Sequence, residues 1–216
     1  MCGRYALHAN PEVVALQFAL DSAPEFQASY NVCPGREVLV VRLDREKKRV
    51  ARQYRWGLGN KIANARGESL AQRPAFRDAF RRWRCLVPAS GFYEWQTVSG
   101  HKQPWYFQPS DAELFGLAGI TALWNGVRSV SLITTAPNAL MQPIHDRMPV
   151  IVAREDYAAW LDPQNQDAAA LAGFVRPYAA ERMAARRVSM RVNKPENDEP
   201  SLIEEATGGP LQHDLL

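Results

Sequence analysis

Nothing in this 216-residue chain approaches the roughly 18 consecutive apolar residues that a membrane span needs. The chain also lacks an opening charged stretch followed by an apolar core. No secretory signal is therefore legible, and the sequence reads as cytoplasmic. Cysteine is scarce: Cys2, Cys33 and Cys85 form no CxxC pair and leave an odd one over. That spacing argues against a disulfide framework and against a zinc site, and points to free thiols in a reducing compartment. No metal and no cofactor is expected. Internal repeats and low-complexity linkers are missing too, which excludes solenoids and arrays. What is present is ordinary: 46% hydrophobic and 23% charged residues, the balance of a globular protein. The length suits one domain with a core large enough to need no disulfide.

Charge is unevenly placed. Residues 42 to 84 hold fourteen Lys and Arg against Asp44, Glu46, Glu68 and Asp78, a local +10 in a chain of net +3. Residues 195 to 216 contain no Lys or Arg and six acids. A basic block with an acidic tail fits a polyanion partner such as nucleic acid, and it equally fits a solvated face.

The hydrophobic pattern predicts an α+β fold: a curled, largely antiparallel, barrel-like sheet flanked by a few helices in one domain over 1–207, followed by a polar tail over 208–216. Asn10, Pro11 and Glu12 start a helix whose Val13, Leu16 and Leu20 share a face. Glu37 to Leu43 and the run from Val50 make a hairpin. Arg73 to Arg84 reads as a helix with a core stripe of Phe76, Phe80 and Trp83, its arginines turned to water or phosphate. Cys85 to Trp95, Trp105 to Phe107, Leu114 to Leu123, Val130 to Thr134, Met148 to Val152 and Val188 to Val192 read as strands. Trp124, Asn125 and Gly126 mark a tight hairpin turn. Helical pieces are expected from Glu155 and over Ala168 to Val175.

Four places could carry chemistry. Cys2 follows Met1, and removal of Met1 would put a free α-amine and a thiol on one residue. Their reference pKa values, about 7.7–8.0 and 8.5, leave both partly nucleophilic near neutrality. Such a 1,2-aminothiol turns an aldehyde first into an imine and then into a five-membered thiazolidine. The bland alternative is a small residue after Met. Glu94 lies among Phe92, Tyr93 and Trp95, where burial would raise its pKa into the range of acid–base work. It could also point outward on an alternating strand. His145, beside Asp146 and Arg147, fits a proton shuttle or an ordinary loop histidine. Asn64, Arg66 and Glu68 share one face if extended, as a polar site or a polar loop.

In this order the motifs resemble a family. CGRY at Cys2 to Tyr5, YN-x-x-PG at Tyr30 to Gly35, RWGL at Arg55 to Leu58 and NAR-x-E at Asn64 to Glu68 all fit. So do FRDAF at Phe76 to Phe80, RCLVPASGFYEW at Arg84 to Trp95, TTAPN at Thr134 to Asn138, IHDRMPVI at Ile144 to Ile151, and Val192 with Asn193. Together they resemble the SOS-response-associated peptidase (SRAP) family over nearly the whole chain. The resemblance implies a monomeric sensor of abasic sites in single-stranded DNA, nucleoid-associated when bound. It implies a thiazolidine crosslink through Cys2, with Asn64 orienting the deoxyribose, Glu94 moving protons, and His145 assisting ring opening and reversal. Arg4, Trp56, Arg66, Arg73 and Arg77 would contact DNA. The family label adds self-removal of Met1 and a lyase-like activity. The stretch Gly59 to Ala63 is shorter than the family usually has, and Cys33 replaces a small residue, as a buried inert thiol. Two other classes compete: an N-terminal-nucleophile amidohydrolase, separable by a glutaminase assay, and a noncovalent single-strand-binding module, whose binding would survive Cys2→Ala.

Overall fold

The computed structural model describes residues 2–59 and 62–206. Met1, Lys61 of the basic block and the tail expected over 208–216 lie outside them.

β1 (Tyr5–Leu7) leads into α1 (Pro11–Phe18). The Asn10 side chain caps this helix, accepting from the Glu12 N–H at 3.0 Å. Its buried face is Val14 and Phe18, and Leu16 is exposed, which corrects the expected stripe. The reason is the ring of Phe18, which stacks on Tyr157 at 5.2 Å and turns the short helix. β2 (Ser29–Val32) precedes the expected hairpin of β3 (Glu37–Leu43) and β4 (Arg49–Trp56), with Leu43 opposite Arg49. Then come β5 (Asn64–Arg66), α2 (Pro74–Arg82), β6 (Arg84–Ala89), β7 (Gly91–Val98), β8 (His101–Pro109), β9 (Phe115–Trp124) and β10 (Val127–Thr135). Two short pieces, β11 (Met148–Pro149) and β12 (Ile151–Val152), replace the single strand expected there. α3 (Tyr157–Leu161), α4 (Ala168–Ala172) and β13 (Met183–Arg187) follow.

β10, β4, β3, β6 and β9 pair in sequence, and β9 pairs back onto β10, so this ring closes into a five-strand barrel. Its pairings are antiparallel except β10 with β4. The β9–β10 turn makes the closure tight. Asn125 and Gly126 both have positive φ, 48° and 80°, as a two-residue primed turn demands. A second sheet has the order β13-β8-β7-β1-β2. The expected curled, largely antiparallel α+β fold is present.

The chain passes from barrel to second sheet at Ser90. Its N–H bonds Ala6 O at 2.7 Å, and its hydroxyl accepts from the His8 N–H at 3.0 Å. At Gly91 a Cβ would lie 2.3 Å from Tyr106 Cζ and 2.5 Å from Phe107 O, so only glycine lets β7 approach β8 here. The main core fills the space between the two layers. Phe92 stacks on Phe107 at 5.1 Å and meets Phe115 at 6.1 Å, and Tyr5 meets Trp56 at 5.3 Å. Each such ring contributes roughly 1.5–3 kcal/mol by leaving water.

Three further expectations fail for physical reasons. Trp83 is 51% exposed, because α2 ends at Arg82 and the chain turns away from the core stripe. Arg84, expected on a wet face, is buried, its guanidinium donating to the carbonyls of Phe80, Arg81, Trp160, Asp162 and Asn165. The strand expected at Val188 to Val192 is a 3-10 turn over Met190–Asn193. Val188 still donates to Pro104 O at 3.1 Å, but Pro104 has no N–H to return, so the β13–β8 ladder stops. Residues 188 to 205 instead form a strap whose Val188, Val192 and Leu202 pack on Ala6, Tyr93 and Tyr106. Asp198 of the acidic stretch is part of this strap and accepts from Ser29 Oγ and Tyr30 N. Cys33 is half-buried rather than buried. Among the described residues no helix is long and apolar enough to cross a membrane.

Candidate functional site

β7 places the carboxyl group. Side chains alternate along a strand, so Phe92 and Glu94 share one face and Tyr93 and Trp95 the other. Phe92 lies in the main core and Tyr93 in the cluster under the strap. Glu94 therefore faces inward and is 2% exposed, and the outward reading fails. The expected enclosure by all three aromatics also fails, since two of them face away. Burial raises the Glu94 carboxyl to about 7, with Asp146 adding to the rise.

β1 brings in Cys2. Tyr5 stands opposite Phe92, and the Tyr93 N–H donates to Arg4 O at 3.0 Å. Continuing this register runs the residues before Tyr5 alongside Glu94. Cys2 is fully buried. Burial, then the nearby Glu94 charge, pushes its thiol well above the ordinary range, so it rests as a neutral thiol.

β5 brings in Asn64 from the barrel rim, through parallel pairing with β10 that sets Asn64 opposite Leu132. Its Nδ2 donates to Cys2 O at 2.8 Å. Its Oδ1 is buried with no hydrogen-bond partner among the described residues.

His145 comes from the turns after β10, with Nε2 3.7 Å from Glu94 Oε2. The Arg147 N–H donates to Nδ1 at 3.0 Å. Asp146 Oδ1 and Arg147 O lie 3.1 and 3.2 Å from the same nitrogen. The backbone N–H needs Nδ1 as an acceptor, whereas the two oxygens beside Nδ1 favour a proton on it, so this nitrogen is contested between donor and acceptor neighbours. Burial lowers the imidazole below its ordinary value. The Arg147 side chain pins the loop, with Nη1 2.6 Å from Glu68 Oε1, Nη2 2.9 Å from Oε2, and Nη2 donating to Thr134 O at 2.7 Å. That contact holds Glu68 below the usual carboxylate range.

The structure thus gathers Cys2, Asn64, Glu94 and His145, drawn from four segments, into one buried seam. Arg66 is exposed on the Asn64 face of β5. Two expected DNA contacts are otherwise engaged. Arg4 donates to Asn31 Oδ1 at 2.7 Å and Val192 O at 2.6 Å and lies over Trp95, so it holds the strap. Trp56 is 1% exposed, with Nε1 donating to Ala63 O at 2.9 Å, so its ring supports the seam from beneath and presents no face for stacking. Arg73 and Arg77 lie exposed at α2, and no described hydrogen bond or ion pair ties them to the seam. The Glu68–Arg147 clamp is the pairing that motif reading missed. Its signal was opposite charges in two separate polar motifs.

A sequence model of the family described as SOS response associated peptidase (SRAP) matches residues 1–195. The chain is 38% identical over 223 residues to the abasic site processing protein YoqW of Bacillus subtilis, covering 94% of this chain and 99% of that protein. It is 36% identical to YoaM of the same organism, also an abasic site processing protein, covering 94% of this chain and 98% of that one. A crystal structure of a protein from Bacteroides thetaiotaomicron shares the fold, with a TM-score of 0.84 at 24% identity over 95% of this chain and all of that one.

Proposed function

Because the chain belongs to the SOS response associated peptidase (SRAP) family, we propose that it recognises abasic sites in single-stranded DNA and joins them covalently through Cys2. The observation that carries the reading is the convergence of Cys2, Asn64, Glu94 and His145 on one seam.

The chemistry balances without a cofactor. After loss of Met1, the Cys2 amine adds to the C1′ aldehyde of the ring-opened sugar. The carbinolamine loses water as Glu94 delivers a proton to its oxygen, leaving an imine. A carboxyl raised to about 7 is partly protonated at neutral pH and suits this step. The Cys2 thiol then adds across the C=N bond. Sulfur bonds C1′, the thiol proton leaves by way of the Glu94 carboxylate, and nitrogen takes up a proton, closing the thiazolidine. The raised thiol pKa makes that base necessary, since little thiolate forms unaided. His145 serves the sugar ring oxygen in opening and in reversal. Asn64 holds the Cys2 carbonyl through Nδ2 and offers Oδ1 to a sugar hydroxyl. Arg66 meets the phosphate backbone. We assign self-removal of Met1, and lyase-like release, to the same seam.

The test is incubation of the Met1-free protein with abasic single-stranded DNA, read by denaturing gel and intact mass. Wild type should form a stable adduct with the mass of a thiazolidine, and Cys2→Ala should form none. An adduct of that mass in Cys2→Ala overturns the reading.

A further inference from the structure

The barrel end opposite the seam carries its own concentration of charge. β10 runs from Arg128 at one rim to Thr134 at the other, where Arg147 binds. Six residues of strand separate them, roughly 20 Å. At the Arg128 rim, the end of β3, the β3–β4 turn, the last turn of α2 and the start of β10 surround a hollow of about 400 Å³. Arg42, Arg45, Arg82 and Arg128 line it, with Trp83 beside them.

Among the described residues one acid, Asp44, shares the lining with these four guanidinium groups, which leaves a positive excess. None of them is in an ion pair within 4.0 Å among the described residues. Asp44 Oδ1 accepts from the N–H groups of Glu46 and Lys48, which close the turn. Arg42 Nη1 donates to Leu43 O at 3.1 Å, and its Nε is buried without a partner among the described residues. Arg84 at the floor is consumed by backbone carbonyls and braces the hollow. Trp83 offers a half-exposed indole face. Arginine forks match phosphate oxygens, and an indole takes a base by stacking, so the combination suits a flexible strand with phosphates and free bases.

We propose that this pole is a second binding site for single-stranded DNA, with phosphates on Arg42, Arg45, Arg82 and Arg128 and a base stacked on Trp83. The proposal goes beyond the seam chemistry and rests on the proposed function only in taking DNA as the polyanion.

The experiment loads the Cys2 seam covalently with an abasic oligonucleotide of about five nucleotides. The loaded protein is then titrated with a longer fluorescent oligothymidylate at several salt concentrations. Loaded wild type should bind this second strand. The combined Arg45→Gln, Arg82→Gln and Arg128→Gln variant should bind about tenfold or more weakly, its salt slope smaller by about 2. Arg128→Gln alone should lower the slope by about 0.7. Trp83→Ala should weaken binding about tenfold with the slope unchanged. All three sites of the triple variant are exposed, so its loading rate with the short abasic oligonucleotide should match wild type. Equal affinity and slope in loaded wild type and triple variant, or no second strand on loaded wild type, overturns the proposal. If wild type forms no adduct, the seam reading fails by itself. The same titration of unloaded protein then decides the pole, where an unchanged triple variant overturns it.

Discussion

The two ends of the barrel present charge in opposite ways. At the seam the ionisable groups are buried or half-buried, and burial displaces their protonation, Glu94 up to about 7, His145 down and the Cys2 thiol up. At the far pole the guanidinium groups keep permanent charge and mostly face water. In a low-dielectric seam the variable is where a proton sits, so pH is the lever. At a solvated pole the variable is screening, with a Debye length of about 8 Å at physiological salt, so ionic strength is the lever. The fold separates the two regions: the hollow lies at the Arg128 end of β10, whereas Asn64 pairs farther along β10 and Cys2 and Glu94 enter from the second sheet.

The sharpest way to break this contrast is Glu94→Gln. Positioned acid–base catalysis contributes roughly 10²–10⁴-fold, so the variant should crosslink abasic DNA slower by that factor, while noncovalent affinity and its salt slope stay unchanged. The pH profile is diagnostic. Imine formation needs a neutral amine, with a reference pKa of about 7.7–8.0, and a protonated Glu94. The wild-type rate should therefore peak between about 7 and 8, and the variant should lose the alkaline fall. Stability should move the other way. The folded protein binds the Glu94 proton more tightly than the unfolded chain, so wild-type stability falls as pH rises from 4.5 to about 7 and stays lower above. Glu94→Gln should match wild type at pH 4 and exceed it at pH 8 by up to about 3 kcal/mol in urea unfolding. A variant with wild-type rate and no gain at pH 8 would place Glu94 in solvent contact.

Arg84 tests whether place or burial decides a side chain's role, because it lies at the basic pole with the burial of the seam. Burial lowers it only to about 10, so it stays charged at neutral pH, over the Trp160 ring at 5.6 Å. Arg84→Met would leave five carbonyls without their donor and should cost at least about 3 kcal/mol in urea unfolding. Arg84→Lys should recover less than half, since one ammonium cannot span acceptors arranged around a planar fork. It keeps the charge and should leave the DNA salt slope alone. A changed slope with unchanged stability would make Arg84 a phosphate ligand.

Arg84 also marks what a sequence can and cannot disclose. The hairpins were legible because their signals are local: the Asn125–Gly126 turn and the β-branched, apolar run of β3 each carry their own geometry. The seam was legible residue by residue, since Cys2 follows Met1 and Asn64, Glu94 and His145 each stood in a polar or aromatic motif. Their meeting was not, because it depends on Ser90 carrying β6 into the second sheet and on β5 pairing in parallel with β10. Directions were least legible. Arg4, Trp56 and Arg84 look like surface ligands in one dimension, yet each is turned inward by backbone carbonyls that include Val192 for Arg4, Ala63 for Trp56 and Trp160 for Arg84. Long-range hydrogen bonds leave no periodicity in a sequence.

The smallest expected effect comes from the clamp that joins seam to solvent. Glu68 holds Arg147, whose backbone N–H holds His145, and the Glu68 side chain is 55% exposed. A bidentate pair this wet contributes little, at most about 1 kcal/mol at neutral pH. The sign is opposite to that of Glu94. Arg147 lowers the Glu68 pKa, so the stabilisation is present above the unfolded value of 4.5 and is lost as pH falls through the lower folded value. Glu68→Gln should therefore lose up to about 1 kcal/mol at pH 7 and match wild type well below pH 4, whereas Glu94→Gln gains at alkaline pH. Because Arg147 also donates to Thr134 O, the loop should stay in place and the crosslinking pH optimum should not move. A shifted optimum in Glu68→Gln would show that the clamp sets the His145 proton as well as the position of the loop, and the separation between a buried proton site and its solvated surroundings would then fail at this residue.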